Sequence, residues 1–496
     1  MTVTVTHADA AAQPARGLLP LWVGVATYAL YLVAGNRLLI DPDTLWQITV
    51  GQWISDHHAV PTTDVYSFTM HGQPWISTQW LAQVMFAKTY ALFGWSGPVV
   101  LASTAIAATF ALLAKFLSRR LSESTTLVFI AAALALTVPH LLARPHVLAL
   151  PMMVAWVGGL IAAADRSKAP SFRLLPLMAL WANLHGGFVF GIMLVAPIAL
   201  DCVLAADASL RKTLVLRWAG FGIATLAAAC CTPYGWDSLL ASRRILELGS
   251  ALPLILEWKP TDFGSIGPFE ICLLLGFGLV LYRGVTLLPM RIVLLLGLLH
   301  MALSQGRAAE ILALVAPIIL AAPLARQIGG AAPSSSAQPL HAPLFAGIAA
   351  MLVAGTIAYA SMHPFAPHMR GSPVAAVAEL KKLNVARVFN DYDFGGFLIA
   401  NGVAPFIDGR TELYGEKFFV DHNAASGLME PENLFRLLDE YRIEATLMRT
   451  QSAASKLLDH VDGWQKVYSD DIGTIHVRKD SAVHTREPAV DAKPKN

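Results

Sequence analysis

The sequence predicts a polytopic α-helical membrane protein that carries a small α/β domain after its last span. Two features of the composition point to this class: 55% of the 496 residues are hydrophobic and 14% are charged, whereas about a quarter of the residues in a soluble domain are charged. The third feature is a series of apolar runs, which recur from Gly17 to roughly Ala360 at lengths near those that cross a bilayer. A mean hydropathy of +0.54 agrees with these features.

Charge and cysteine content exclude other classes of protein. The formal net charge is +2 and the basic residues form only short clusters, so the chain has no surface predicted to follow a nucleic-acid backbone. The four cysteines lie inside apolar segments without CxxC spacing, which is typical of small core residues rather than of metal ligands or disulfides. They are Cys202, Cys230, Cys231 and Cys272.

Short clusters of lysine and arginine set the orientation of the chain, because such clusters remain on the cytoplasmic side of a membrane. Counting the apolar runs between these clusters predicts about 11 spans. The predicted spans are 17–40, 95–117, 124–142, 146–164, 173–185, 187–206, 216–232, 265–283, 290–304, 306–325 and 343–361. The count places an N-terminal segment, 1–16, in the cytoplasm and a first outer loop, 41–77, on the extracytoplasmic side, and it gives a transmembrane domain over 17–365.

The composition changes after the last span. Residues 366–478 alternate helix-like runs with short strand-like runs, which predicts an extracytoplasmic α/β domain. The helix-like runs are Val374–Lys382, Pro431–Tyr441 and Ser452–His460, and the strand-like runs are Arg387–Asn390, Pro405–Asp408, Ala445–Met448 and Thr474–Val477. The final segment, 479–496, is polar and without periodicity, so we expect a disordered tail.

The first outer loop opens with two carboxylates, Asp41 and Asp43, separated by Pro42. Such groups can be simply solvated, or can cap the amphipathic helix that the following residues predict. The alternative is chemistry at the membrane face, where a carboxylate takes a proton from an acceptor hydroxyl or the pair binds a divalent metal ion. The residues leave these interpretations open, and one pair could serve both.

A phosphate leaving group would need positive charge near those carboxylates, and arginine suits a partly desolvated phosphate because its planar guanidinium binds two oxygens. Three arginines stand in otherwise apolar surroundings on the predicted outer side: Arg144, Arg307 and Arg410. Ionisable groups at membrane depth are functional candidates by default. The alternatives are that Arg307 pairs with Glu310 one turn later or snorkels to the interface, and that Arg410 pairs with Asp408.

Further polar residues on the same side are candidates for substrate contact. His146 follows Arg144 closely, Asn183 and His185 precede a pair of glycines that also fits a simple capped hairpin, and Glu257 lies in a loop that also fits a polar interface. Two tryptophans of the first outer loop, Trp46 and Trp75, could stack on a sugar or a prenyl chain.

Several runs together resemble a large group of bacterial polytopic proteins in the GT-C glycosyltransferase superfamily, of the protein O-mannosyltransferase and lipid A aminoarabinose transferase class. The resemblance covers most of the chain. It is carried by "DPDTLWQITVGQWISDHHAVPTTDVYSFTMHGQPWISTQWLAQ", "RPHVLAL", "LWANLHGGF", "TPYG", "LEWKP", an arginine in a late span and "VFNDYDFGGFLIANGVAPFIDGRTELYG".

The resemblance implies an enzyme of the bacterial inner membrane whose active site faces the extracytoplasmic side. The acidic D/E-x-D signature of that superfamily falls on Asp41 and Asp43, which would act as general base or metal ligands, and the late arginine that holds the donor phosphate corresponds to Arg307, with Arg144 as a second candidate. The implied donor is a polyprenyl-phosphate-linked sugar, and the acceptor a lipid, glycan or protein. The chain departs from better-understood members in lacking an obvious second acidic motif, unless Glu257 supplies it.

Two other functions fit parts of the sequence. A transporter or flippase for a polar lipid would show internal repeats and charges near the midplane, whereas the ionisable residues here cluster toward one face and the halves show no convincing repeat. A non-catalytic scaffold for envelope assembly would use the glycines and charges after residue 390 only as turn chemistry. Glycosyl transfer accounts for the carboxylates, the arginines and the tryptophans with one reaction.

Overall fold

The computed structural model describes residues 18–328, 342–367 and 371–479. The predicted cytoplasmic segment 1–16 lies outside the described residues, as does the predicted tail apart from Lys479.

The first and larger part of the chain is helical. Its helices are α1 (Leu19–Val33), α2 (Gly35–Leu38), α3 (Asp43–His57), α4 (Trp80–Phe93), α5 (Ser96–Ser118), α6 (Glu123–Thr137), α7 (Pro145–Ala164), α8 (Leu175–Leu184), α9 (Phe188–Met193), α10 (Val195–Ala205), α11 (Ala208–Ala229), α12 (Asp237–Leu246), α13 (Pro268–Arg283), α14 (Pro289–Ser304), α15 (Ala308–Ile328) and α16 (Ala342–Met362). Short 3₁₀ turns lie at Phe172–Leu174, Gly249–Leu254 and Leu256–Trp258.

A helix overlaps each predicted span. Within the described residues, five helices are long and apolar enough to cross a membrane: α5, α7, α15, the continuous segment Phe188–Ala205 and the segment Pro343–Met362. Shorter apolar helices lie at Leu19–Val33, Glu123–Thr137, Phe172–Leu184 and Pro289–Ser304. The chain is therefore a multi-pass membrane protein, and the number of its spans stays a prediction.

Buried charges connect several membrane helices at the N-terminal end of α14. Arg291 is 3% exposed and donates to Asp201 at 3.1 Å, to Asp165 and to the carbonyl of Ile319 at 3.1 Å. Arg120 contacts the other oxygen of Asp165 at 2.7 Å. Two arginines and two aspartates thus neutralise one another, which is the arrangement that buried charges require.

The helix predicted to open the first outer loop is present as α3, but it is not a surface helix with one apolar face. It packs on α4 along one side and on the C-terminal domain along another. Gly51 lies where a Cβ would collide with the carbonyl of Gln83 in α4, so this position must be glycine for the two helices to lie so close. The start of the loop is therefore fixed in a rigid position.

The C-terminal domain contains a four-stranded sheet with helices α17 (Val374–Leu383), α18 (Gly395–Ala400), α19 (Thr411–Ser426), α20 (Pro431–Glu440) and α21 (Ala453–Leu458). The strands are β1 (Val388–Asn390), β2 (Ala445–Arg449), β3 (Trp464–Ser469) and β4 (Gly473–Arg478), in the order β1-β2-β4-β3. β1 and β2 are parallel, with Val388 opposite Ala445, and the other pairs are antiparallel. The boundaries proposed from composition, 17–365 and 366–478, stay predictions.

The predicted strand Pro405–Asp408 is wrong, and β3 was missed. Pro405 makes only an isolated bridge to Val388, because the side chain of Asn390 accepts the backbone N–H of Phe406 at 2.7 Å and replaces part of a strand ladder. β3 pairs with β4 alone in the described sheet and leaves Gln465 and Lys466 exposed, so its sequence has little of the apolar alternation that marks a half-buried strand.

The C-terminal domain is seated directly on the beginning of α3. A Cβ at Gly409 would collide with the carboxylate of Asp43, and a Cβ at Gly396 would lie 2.7 Å from the carbonyl of Pro42. Glycine at both positions lets two segments of the domain reach the Asp41-Pro42-Asp43 run at backbone distance. This seating places the domain over the first outer loop.

Candidate functional site

A cavity of about 690 Å³ lies where the membrane helices meet the C-terminal domain. The membrane part contributes the start of α3, the start of α7, the 248–258 segment and the residue before α15, and the C-terminal domain contributes the turn after β1, the end of β2 and one side of α19. Eight of the residues predicted as functional line it: Asp41, Asp43, Trp46, Arg144, His146, His185, Glu257 and Arg307.

Arg144 is the centre of an ionic cluster. Its guanidinium lies 3.2 Å from a carboxylate oxygen of Asp41 and bonds the carboxylates of Asp43 and Glu257. Pro145 begins α7 and disfavours a helical conformation in the residue before it, so Arg144 is extended (φ −123°, ψ 158°) at the N-terminus of the helix. Three loops distant in sequence are thereby joined by one side chain.

The two carboxylates of the first outer loop are held in place from both sides. Asp41 accepts the backbone N–H of Asp43 at 2.8 Å, and Asp43 accepts the indole N–H of Trp46 at 3.0 Å. The first contact satisfies one of the free N–H groups at the start of α3, so Asp41 caps the helix and also lines the cavity. Trp46 is 3% exposed and orients Asp43.

The pKa values of the three carboxyls beside Arg144 shift in different directions. Burial raises the pKa of Asp41 to about 7, with Arg144 opposing and Asp43 and Glu257 reinforcing the shift. Burial also raises the pKa of Asp43, against the opposing effect of Arg144. Burial alone would raise the pKa of Glu257 too, but the guanidinium groups of Arg144 and Arg307 outweigh it and hold that pKa below its ordinary value. Glu257 is therefore ionised at neutral pH, whereas the pKa of Asp41 lies near neutral pH.

Among the described residues that line the cavity on the membrane side, Arg307 has fewer ionic contacts than Arg144. It is 27% exposed, donates to Glu257 at 3.1 Å and is fixed by a backbone hydrogen bond of 3.0 Å to the same residue. Glu310 lies instead beside His146, at 3.9 Å from its Nε2 atom, and is 4% exposed. The alternative of an Arg307–Glu310 ion pair is therefore wrong, since Arg307 pairs with Glu257.

Two histidines line the inner end of the cavity. The Nε2 atom of His146 lies 2.9 Å from the carbonyl of His140, and the ring centroids of His146 and His185 are 6.2 Å apart. His185 also accepts the backbone N–H of Gly187 at 3.0 Å. The glycine pair thus forms a capped turn and still presents His185 to the cavity.

The remaining candidates are placed away from the cavity lining. Asn183 accepts the indole N–H of Trp80 at 2.7 Å and donates to two carbonyls, which fixes the end of α8. Arg410 and Asp408 are fully buried and bond each other at 2.7 Å, so their proposed pairing is present. Trp75 lies under the Arg410 guanidinium, 4.8 Å from it to the ring centroid.

This second ionic cluster joins the first outer loop to the C-terminal domain. Arg410 also contacts Asp64 at 2.5 Å, and Tyr414 donates to Asp408 at 2.6 Å. The Arg410 guanidinium outweighs the effect of burial and lowers the pKa of Asp64 below its ordinary value. A fully buried arginine that pairs with two aspartates is typical of a structural contact between two segments.

Residues of the C-terminal domain that the sequence did not single out also line the cavity. They are Asp391, Tyr392, Asp393 and Arg449, with Thr411, Glu412, Phe419, His422, Asn423 and Ser426 on or beside α19. The acidic pair around Tyr392 lies in one of the runs that carry the family resemblance. A charged pair directly after a short apolar strand was the signal that could have indicated them.

The possible metal site at Asp41 and Asp43 stays a prediction. The guanidinium of Arg144 contacts both carboxylates, and among the described residues no group of three or more acidic, histidine or cysteine side chains is placed to hold an ion. In this arrangement the arginine is the positive charge beside the pair.

Comparison with known proteins supports the fold assignment. No family model and no curated protein matches the sequence. Among solved structures, the chain is similar to the archaeal oligosaccharyltransferase AglB from Archaeoglobus fulgidus, in complex with an inhibitory peptide and a dolichol-phosphate, with a TM-score of 0.55 and 10% identity over 93% of this chain and 75% of that one.

A second similarity is to ArnT from Cupriavidus metallidurans bound to undecaprenyl phosphate, with a TM-score of 0.32 and 11% identity over 93% of this chain and 98% of that one. This value is too low to support an argument. The similarity to AglB shows that the two chains share a fold.

Proposed function

We propose that the chain is a glycosyltransferase that moves a sugar from a polyprenyl-phosphate donor to an acceptor on the extracytoplasmic side of the bacterial inner membrane. The observation that carries this proposal is the cavity in which Asp41, Asp43, Arg144 and Arg307 meet at the ends of apolar helices. The fold shared with an oligosaccharyltransferase agrees with this activity, but a fold hosts many functions, and only the residues of the site can perform the reaction.

The donor phosphate binds at Arg307 in this proposal. Within the described part of the chain, Arg144 is shared among three carboxylates, whereas Arg307 pairs with Glu257 alone and has a larger exposed fraction, 27% against 17%. A guanidinium with free N–H groups in a partly desolvated site is the better ligand for an incoming phosphate. Arg144 has a positioning role, because it holds the carboxylates of Asp41 and Asp43 in place.

Asp41 is the proposed general base. A base works best when its pKa lies near the pH at which the reaction runs, and burial raises the pKa of Asp41 to about 7. The acceptor oxygen attacks the anomeric carbon of the donor sugar, the bond from that carbon to the phosphate oxygen breaks, and the acceptor proton moves to Asp41. The polyprenyl phosphate leaves with the bonding electron pair, and Arg307 stabilises its additional negative charge.

The first test is transfer from a panel of radiolabelled polyprenyl-phosphate sugars, using the full-length protein in lipid nanodiscs with fractionated cell-envelope extracts as acceptors. We expect Asp41→Asn to lower kcat by about 100-fold or more, the usual contribution of a general base. Arg307→Ala should raise the KM for the donor. Asp462→Asn and Lys456→Ala, at exposed positions of the C-terminal domain, are the matched controls and should leave both constants unchanged.

Full activity in Asp41→Asn would remove Asp41 from the reaction. Absence of both donor binding and transfer in correctly folded wild-type protein would refute the proposed function. The orientation has its own test: a reporter fused after Asp64 should score as extracytoplasmic, and a cytoplasmic score would overturn the orientation.

A further inference from the structure

The wall of the cavity formed by the C-terminal domain lies at the ends of two parallel strands. Asp391 directly follows β1, Arg449 is the last residue of β2, and the backbone N–H of Asp391 donates to Leu447 in β2 at 2.9 Å. Side chains at the carboxyl ends of neighbouring parallel strands meet at one edge of a sheet, which is the usual place for a ligand in α/β domains. Here that edge faces the cavity.

The charged groups at this edge organise one another and keep an exposed side. Arg449 lies 3.4 Å from Asp391 and bonds Asp393, and Asp391 accepts the backbone N–H of Asp393 at 3.1 Å. The side chains of Arg449 and Asp393 are 39% and 42% exposed. The contacts fix the directions of the groups, and their exposed edges remain able to bind a further molecule.

One face of α19 continues this wall. Phe419, Asn423 and Ser426 follow one another at helical spacing and all line the cavity. The side-chain amide of Asn423 has no hydrogen-bond partner among the residues that the structure describes. An amide can donate and accept at once, so this position offers both kinds of hydrogen bond beside an aromatic ring.

The wall has more acidic than basic side chains. Asp391, Asp393 and Glu412 line the cavity together with Arg449, which pairs with the two aspartates. Burial raises the pKa of each of the three carboxyls. A second phosphate or a carboxylate on the acceptor would find little attraction here, whereas hydroxyl groups would find acceptors and donors in fixed directions.

We propose that Asp391, Asp393, Asn423 and Arg449, which we call the outer wall, form the acceptor subsite and take an uncharged saccharide. This inference depends on the proposed glycosyl transfer and deepens it, because it selects one acceptor class. Carboxylate, amide and guanidinium groups pair with adjacent hydroxyls, which is how a few polar groups fix a polyhydroxylated ligand in a pocket.

The outer wall is close enough to the carboxylates of the first outer loop for the two to act on one acceptor. Tyr392 and Asp393 line the same cavity as Asp43, and a Cβ at Gly396 would lie 2.7 Å from the carbonyl of Pro42. An acceptor held by the wall therefore directs a hydroxyl toward the Asp41-Pro42-Asp43 run. Arg307, the proposed site of the donor phosphate, lines the membrane side of the same cavity.

The experiment uses the full-length protein in nanodiscs, a labelled donor that the wild type binds, and envelope extract separated into neutral glycans, anionic glycans, lipids and proteins. We expect label in the neutral glycan fraction. Asn423→Ala and Asp393→Asn should each raise the KM for that fraction roughly tenfold, the effect of losing about one hydrogen bond, with the KM for the donor unchanged. Asp462→Asn is the matched control for charge.

Label in the anionic, lipid or protein fraction would overturn the saccharide assignment while leaving glycosyl transfer intact. Variants that change the KM for the donor and leave that for the acceptor unaltered would remove the outer wall from acceptor binding. Bound donor without label in any fraction also contradicts the acceptor subsite, whereas a protein that binds no donor contradicts the proposed function itself. Circular dichroism and retention of donor binding show that each variant is folded.

Discussion

Transfer should depend on pH through the ionisation of Asp41. Burial raises the pKa of this carboxyl to about 7, from an ordinary value near 4. A general base must be deprotonated, so activity should be low below that pKa and reach a plateau above it. The ionised fraction is about one tenth at pH 6 and about nine tenths at pH 8, which predicts that kcat/KM rises roughly tenfold between them.

The assay is initial-rate transfer between pH 5 and pH 9 at constant ionic strength, with donor well below its KM. Arg144→Gln removes the cation that opposes the effect of burial on Asp41, so its rise should move to higher pH. Lys456→Gln, at an exposed site of the C-terminal domain, should reproduce the wild-type curve. A profile that is flat from pH 5.5 to pH 8 would refute the assignment of Asp41 as the base.

Two structural predictions follow from the glycine contact and the buried charges. Gly409→Ala should disturb the seating of the C-terminal domain on Asp43, since the added Cβ collides with its carboxylate. Transfer should fall at least tenfold with membrane insertion unchanged. The control is Gly220→Ala, where a Cβ meets nothing within 4 Å, and it should have no effect on transfer. Arg291→Met should lower the free energy of unfolding by about 3–5 kcal/mol, because it leaves Asp201 without a cation and Asp165 with Arg120 alone. Thermal unfolding in nanodiscs measures this loss, and an unchanged Tm would contradict the role of this cluster.

The membrane part was predictable because its signals are local. Apolar runs and basic clusters are read along the sequence, and a helix overlaps each predicted span. The charged candidates on the membrane side could likewise be chosen one by one, since an arginine such as Arg307 in apolar surroundings stands out. Their grouping around Arg144 required the fold, because the contact to Glu257 joins residues 113 positions apart.

The sequence was less informative about the C-terminal domain. Arg410 has the same appearance in the sequence as Arg144, but the structure buries it completely between Asp64 and Asp408. Asp391 and Arg449 became visible as a pair only when β1 and β2 were placed side by side. Which polar residues meet depends on strand order and domain seating, and neither is encoded in a short run of residues.

The contact between Gly409 and Asp43 has a consequence for the order of events during synthesis. The ribosome completes the Asp41-Pro42-Asp43 run early, whereas the wall that closes the cavity is made only after every membrane helix of the described chain. A nascent protein therefore carries its carboxylates for most of its translation without a complete cavity. Activity should begin only when the last hundred or so residues have been released and have folded back onto the first loop, so a stalled ribosome would leave an inserted but inactive protein.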